Sequence, residues 1–189
     1  MPRRTWSRRD VLIGGAAVAV TGVAIPEAAA DDETDEALLR LGASAELVAT
    51  AFYTRALGSR RFDRRERELL LRARFADQRH YSRLVSALGP GAPAAEDLDV
   101  RLPGAAFRSR TATVELGLRI ERAIAGIYVE AAATVGAPAR RALVASLAAS
   151  EATHVGALAA LAGGVPLAPP LPASIDAERA TELLAPYWG

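Results

Sequence analysis

Apolar positions recur at helical spacing in four long segments separated by breakers, which predicts an all-α chain. From Asp35 to about Leu57 the sequence is free of proline, with Leu39, Ala43, Ala49, Tyr53 and Leu57 as its apolar series, and Gly58-Ser59 ends it. Asp63 can cap a second helix that runs to Leu88, where Gly89-Pro90-Gly91 stops it. The next 20 or so residues carry Pro90, Pro93 and Pro103 and lack periodicity, a long connection for a compact domain. A third helix is expected from about Ser109 to Val135, a tight turn at Gly136-Ala137-Pro138, and a fourth helix from Pro138 or Ala139 to Ala162. Beyond Gly163-Gly164 the stretch Pro166 to Pro172 reads as extended, and Ser174 to Leu184 as a short fifth helix capped by Ser174 or Asp176. Two tight helical hairpins joined by one long crossover outline a four-helix bundle over residues 35–162, followed by a proline-rich link and a C-terminal helix over 163–189.

Polar residues interrupt the apolar stripes in a pattern that occurs twice. Glu46 is followed by Tyr53, Asp77 and His80, and Glu121 by Tyr128, Glu151 and His154, at offsets of 75, 75, 74 and 74 residues. The 2 histidines of the chain both belong to the pattern, each three residues after a carboxylate and therefore on the same helix face. Each polar residue lies on an inward stripe: Ala73, Asp77, His80 and Leu84 share one face, Val114, Glu121, Ile124 and Tyr128 another, and Val144, Leu147, Glu151, His154, Leu158 and Leu161 a third. Measured from the two hairpin turns, the paired ligand positions differ in depth by only ~4.5 Å and ~3 Å, so all six reach one level of the bundle. The link from Leu88 to Ser109 can stretch ~60 Å, enough to run the bundle's length.

Four buried carboxylates without compensation would be prohibitively costly, because even one unpaired buried carboxylate shifts its pKa or costs several kcal/mol. Two divalent cations would neutralise them. Carboxylate oxygens with one imidazole per metal and open positions suit iron, with manganese the alternative, better than zinc or calcium. The competing reading of these residues is a polar core, paired to arginine, that holds no metal. Tyr53 and Tyr128 lie two turns from Glu46 and Glu121, ~10 Å along the axis and too far to be ligands of the same metals. They are candidates for hydrogen bonding to ligands, for electron relay, or for plain core packing. Tyr81 should point elsewhere, and Tyr187-Trp188 reads as packing of the last helix onto the bundle.

Composition narrows the functional classes. All 23 basic residues are arginines, and the net charge of +1 arises in the N-terminal segment. Removing Arg3, Arg4, Arg8 and Arg9 together with Asp10 and Glu27 leaves 19 basic and 20 acidic residues, a balance that does not suggest a nucleic-acid partner. The basic run Arg60 to Arg67 is interleaved with Asp63 and Glu66 at ion-pair spacing, which reads as a solvated helix face. The lack of cysteine excludes thiolate nucleophiles, iron–sulfur clusters and thiolate zinc sites within this chain.

Ser7-Arg8-Arg9-Asp10-Val11-Leu12 resembles the twin-arginine signal motif, followed by a modestly apolar stretch from Val11 to Ile25 and an A-x-A cleavage site at Ala28-Ala29-Ala30. Residues 1–30 are thus expected to be a signal peptide and 31–189 the mature domain, starting at Asp31 and exported by the twin-arginine machinery to the periplasm, cell envelope or exterior. The apolar stretch is shorter than a membrane span of roughly 20 residues, so no stable anchor is expected after cleavage.

Glu46-x6-Tyr53, Asp77-x2-His80, Glu121-x6-Tyr128 and Glu151-x2-His154 together resemble the di-iron carboxylate pattern of the ferritin-like superfamily, over roughly Asp35 to Ala162. The resemblance implies a ligand set of Glu46, Asp77, His80, Glu121, Glu151 and His154 around two iron or manganese ions, and a reaction with dioxygen or peroxide of the ferroxidase or peroxidase type. Asp77 stands where the family usually has Glu, and its shorter reach leaves Glu151 as the preferred bridge between the metals. A homo-oligomer is also compatible with such a family. The alternative is a non-catalytic, metal-binding or structural bundle of the cell envelope, of the desiccation-related type.

Overall fold

The computed structural model describes residues 27–163 and 172–188. Among these, four long helices, α1 (Glu27–Gly58), α2 (Arg64–Leu88), α3 (Arg110–Thr134) and α4 (Pro138–Leu161), are followed by a short α5 (Ala177–Leu184). Helices α1 and α2 pack as one hairpin and α3 and α4 as the other; α1 also packs on α3, while α2 touches α4 only lightly. The described residues form no sheet, only an isolated bridge between Val100 and Trp188.

Local signals set most boundaries. Asp63 caps α2 through a reciprocal capping box, its side chain accepting from the Glu66 N–H while Glu66 accepts from the Asp63 N–H, both at 2.9 Å. Gly89, at φ 63°, ends α2 in a conformation that a side chain would strain. Ser109 caps α3, and Asp176 rather than Ser174 caps α5. The first helix begins at Glu27 rather than Asp35, because Ala28, Ala29 and Ala30 are the strongest helix formers and no breaker separates them from the bundle helix. Up to residue 26, the expected signal segment lies outside the described residues, as does most of the Pro166 to Pro172 stretch.

The core is a column of fully buried side chains that includes Leu39, Phe52, Leu70, Leu84, Leu116, Ile120, Ile124, Leu147 and Leu158. Two helical glycines let aromatic rings enter it. A Cβ on Gly42 would stand 2.8 Å from the Tyr128 ring, and one on Gly117 would stand 2.5 Å from Phe52. By composition α4 is long and apolar enough to cross a membrane, yet its buried stripe is part of this core.

The crossover is ordered by side chains of the bundle. Arg40 Nε donates to Gly91 O at 3.0 Å, Tyr81 Oη to Pro93 O at 2.8 Å, and Arg55 Nη1 to Leu102 O at 2.8 Å. Arg55 also lies over the ring of Phe107, which is buried. At the far end, the Arg101 N–H donates to Tyr187 O at 2.7 Å and Trp188 is 3% exposed, so the C-terminal aromatics pack against the body. In the basic run, Arg64 pairs with Glu68 on the exposed face of α2, while Glu66 is drawn to Arg110.

Helix α4 starts without a capping side chain of its own, since its N-cap is Ala137. Asp35, on α1, substitutes for it: its two oxygens accept the N–H groups of Gly136 at 2.9 Å and Ala137 at 3.0 Å. Asp35→Ala should therefore cost about 1–2 kcal/mol. In thermal denaturation that corresponds to a fall of roughly 2–8 °C. Asp35→Asn, which keeps one acceptor, should recover part of it.

Candidate metal centre

The six polar residues of the repeated pattern meet in the middle of the bundle. Glu46 comes from α1, Asp77 and His80 from α2, Glu121 from α3, and Glu151 and His154 from α4; the four carboxylates are fully buried and each histidine is 6% exposed. They form two groups, Glu46, Asp77, His80 and Glu151 in one and Asp77, Glu121, Glu151 and His154 in the other, with one ligand atom from each member within 4.8 Å of the rest. Asp77 and Glu151 belong to both. The shorter Asp77, disfavoured as a bridge, therefore belongs to both groups just as Glu151 does, and its buried helix neighbours include the small Ala73 and Ala76.

Both histidines present Nδ1 to the carboxylates. His80 Nδ1 is 2.7 Å from Glu151 Oε1 and 3.4 Å from Glu46 Oε1. His154 Nδ1 is 3.0 Å from Glu151 Oε2 and 3.2 Å from Asp77 Oδ1. Glu151 thus offers one oxygen to each half of the centre. The two imidazoles stack with centroids 6.0 Å apart.

Most of these atoms lack a hydrogen bond. Glu46 Oε2, both oxygens of Asp77, Glu121 Oε2, Glu151 Oε1 and His80 Nδ1 are buried without one. His80 Nδ1 and Glu151 Oε1 are close yet misaligned for a hydrogen bond. Short distances with poor mutual angles are what lone pairs aimed at a common third point produce. Buried polar atoms are otherwise nearly always paired, so this cluster of orphans around two convergent groups fits a pair of cations. Two divalent ions would balance the four carboxylate charges, and no arginine takes that role among the described residues.

The electrostatics agree. Burial, together with the Glu151 charge, holds Glu46 well above the ordinary carboxylate range, and burial together with the Glu121 charge does the same for Glu151. Burial pushes Asp77 to about 7. Burial also acts on Glu121, but the neighbouring His154 imidazole outweighs it and holds Glu121 low. His154 moves up: burial pulls it down, and its contacts with Asp77, Glu121 and Glu151 more than reverse that.

The tyrosines complete the centre crosswise. Tyr53 Oη donates to Glu121 Oε1 at 2.5 Å and Tyr128 Oη to Glu46 Oε1 at 2.6 Å, so each repeat's tyrosine holds the other repeat's glutamate. Burial, followed by the neighbouring glutamate, raises both phenol pKa values, which keeps the hydroxyls as donors. Of the roles open to them from sequence, hydrogen bonding to candidate ligands is the one the geometry displays. Tyr53→Phe should weaken the group containing Glu121, and Tyr128→Phe the group containing Glu46, each by about 10–100-fold in metal affinity. Stepwise metal titration with each variant checks which step is lost.

Sequence reasoning missed Gly42, Gly117 and Asp35. The glycines were visible, since they stand at the same offset of 75 as the glutamates, and Asp35 lies one turn before Leu39 on the inward stripe. Comparison with curated proteins yields no significant match. The profile of the ferritin-like domain, in contrast, matches residues 34–164, most of the chain and all six candidate ligands. The chain therefore belongs to the ferritin-like domain family.

Proposed function

We propose that this chain is a di-metal carboxylate protein that holds two iron ions, with manganese the alternative, and reacts with dioxygen or peroxide. The observation that carries the reading is the pair of buried four-residue groups sharing Asp77 and Glu151, with six of their ligand atoms left unpaired. Bound Fe(II) would supply one electron per ion, so that two ions and two protons convert hydrogen peroxide to two waters, or dioxygen to hydrogen peroxide. The residues of the chain do the rest. Four carboxylates favour the higher oxidation state by supplying negative charge, and six protein ligands leave positions for the oxidant. Tyr53 and Tyr128 fix one oxygen of Glu121 and of Glu46 and aim the other at the centre. The chain has no cysteine to act as an internal electron donor, so repeated turnover requires an external reductant.

The test is anaerobic loading with Fe(II) followed by addition of oxygen or peroxide. Oxidation of two Fe(II) per chain, faster than in buffer and lost in Glu151→Ala, supports the reading; metal binding without accelerated oxidation favours the non-catalytic envelope bundle. The location proposed is outside the cytoplasm, supported by Arg8-Arg9 and Ala28-Ala29-Ala30. Replacing both arginines by lysine should trap precursor in the cytoplasm, and the exported chain should start at Asp31; normal export of the variant contradicts this.

A further inference from the structure

The lightly packed seam between α2 and α4 opens into a groove of about 500 Å³, and His80 is part of its lining. The remaining lining is polar, with Arg79, Ser82 and Arg83 from α2 facing Ser146 and Ser150 from α4. Arg79 and Arg83 are one helical turn apart and exposed, and neither has an ion-pair partner among the described residues. Arg64, Arg110, Arg140 and Arg179 each meet a carboxylate, whereas Arg79 and Arg83, like Arg65, Arg72, Arg119 and Arg122, keep their charge uncompensated among the described residues. No acid lies on α2 between residues 78 and 86 or on α4 between residues 142 and 150. The mouth of the groove is therefore uniformly cationic, although the centre beneath it is built of carboxylates.

That sign has a consequence for what can approach. A bare divalent cation is repelled at this opening, whereas a small anion is attracted to it. Two forked guanidinium groups and the hydroxyls of a facing helix are the donor set that tetrahedral oxyanions accept from. Ser146 Oγ now donates to Leu143 O at 2.7 Å, and such a local bond is exchanged for an anion contact by one side-chain rotation. We infer that the α2–α4 groove binds a small oxyanion of the phosphate class, with Arg79 and Arg83 as its cationic contacts and Ser146 and Ser150 as hydroxyl donors. The site is made of groove residues alone, so it does not depend on metal in the centre.

Calorimetric titration of the full chain with inorganic phosphate tests this, first metal-free and then manganese-loaded. Saturable binding of one phosphate per chain is expected in both forms, weakened about tenfold or more in the Arg79→Gln/Arg83→Gln double variant and unchanged in Arg72→Gln, an exposed position on α2 outside the groove. Ser146→Ala/Ser150→Ala should weaken it less. No saturable binding to the metal-free chain, or binding that survives loss of both arginines, overturns the inference. Binding confined to the loaded form and indifferent to the arginines makes phosphate a metal ligand, and overturns it equally.

Discussion

Removing metal from the loaded chain should lower its melting temperature on the order of 10 °C. Each ion bound only by the folded state, at 100 to 1,000 times its dissociation constant, adds roughly 3–4 kcal/mol, and two add about 5–8 kcal/mol. For a chain of this size each kcal/mol shifts melting by about 2–4 °C. Because Glu151 and Asp77 belong to both groups, Glu151→Ala should abolish nearly all of the metal-dependent shift, whereas Glu121→Ala should spare the group built on Glu46 and His80. Glu115→Ala, on the exposed face of α3, should leave the shift intact. Without metal the order reverses. Glu151→Leu takes a buried ionisable group out of a crowded carboxylate cluster, and such replacements are neutral or stabilising by about 1–4 kcal/mol. A variant more stable than the parent when metal-free and less stable when metal is present has the signature of a residue kept for binding rather than for folding.

The second large effect is on pH dependence. Glu46, Asp77 and Glu151 have folded pKa values above their ordinary ones, and so does His154. A raised folded value means that the native state binds more protons than the unfolded chain, so the stability from these groups is complete below the unfolded values and is lost as pH rises through the folded ones. Glu121, held low, works in the opposite sense, present above its ordinary value of 4.5 and lost as pH falls. Four groups against one decide the sign. The metal-free chain should lose stability between about pH 4 and the folded value of Asp77, about 7, with the raised Glu46 and Glu151 acting in the same sense. The slope is ~1.4 kcal/mol per pH unit for each excess proton. Metal displaces those protons and binds more tightly as pH rises. Melting curves from pH 5 to 8 should therefore fall for the metal-free chain and diverge from those of the loaded chain, and Glu151→Gln should flatten the metal-free slope.

Much of this architecture could be read from residues whose effects are local. Asp63, Ser109, Gly89 and Pro138 mark helix ends by capping or breaking, so α2, α3 and α4 were placed within a residue or two. The six candidate ligands were legible because carboxylates and histidines on apolar stripes contradict the pattern around them. What escaped depends on neighbours distant in sequence. Asp35 caps a helix 102 residues away, and nothing beside it announces that partner. The crosswise tyrosine pairing depends on which helices adjoin in the bundle. Asp77 shares in both groups, a result of tertiary packing that side-chain length alone does not give. The upstream start of α1 was obscured because the same alanines that favour helix also resemble a cleavage site.

The most direct test is elemental analysis of the chain purified without added metal or chelator. About two iron or manganese ions per chain are expected, falling towards zero in Glu151→Ala and remaining near two in Glu115→Ala. Far less than one ion per chain in the parent, unaltered by Glu151→Ala and not restored by anaerobic Fe(II), would contradict the di-metal account.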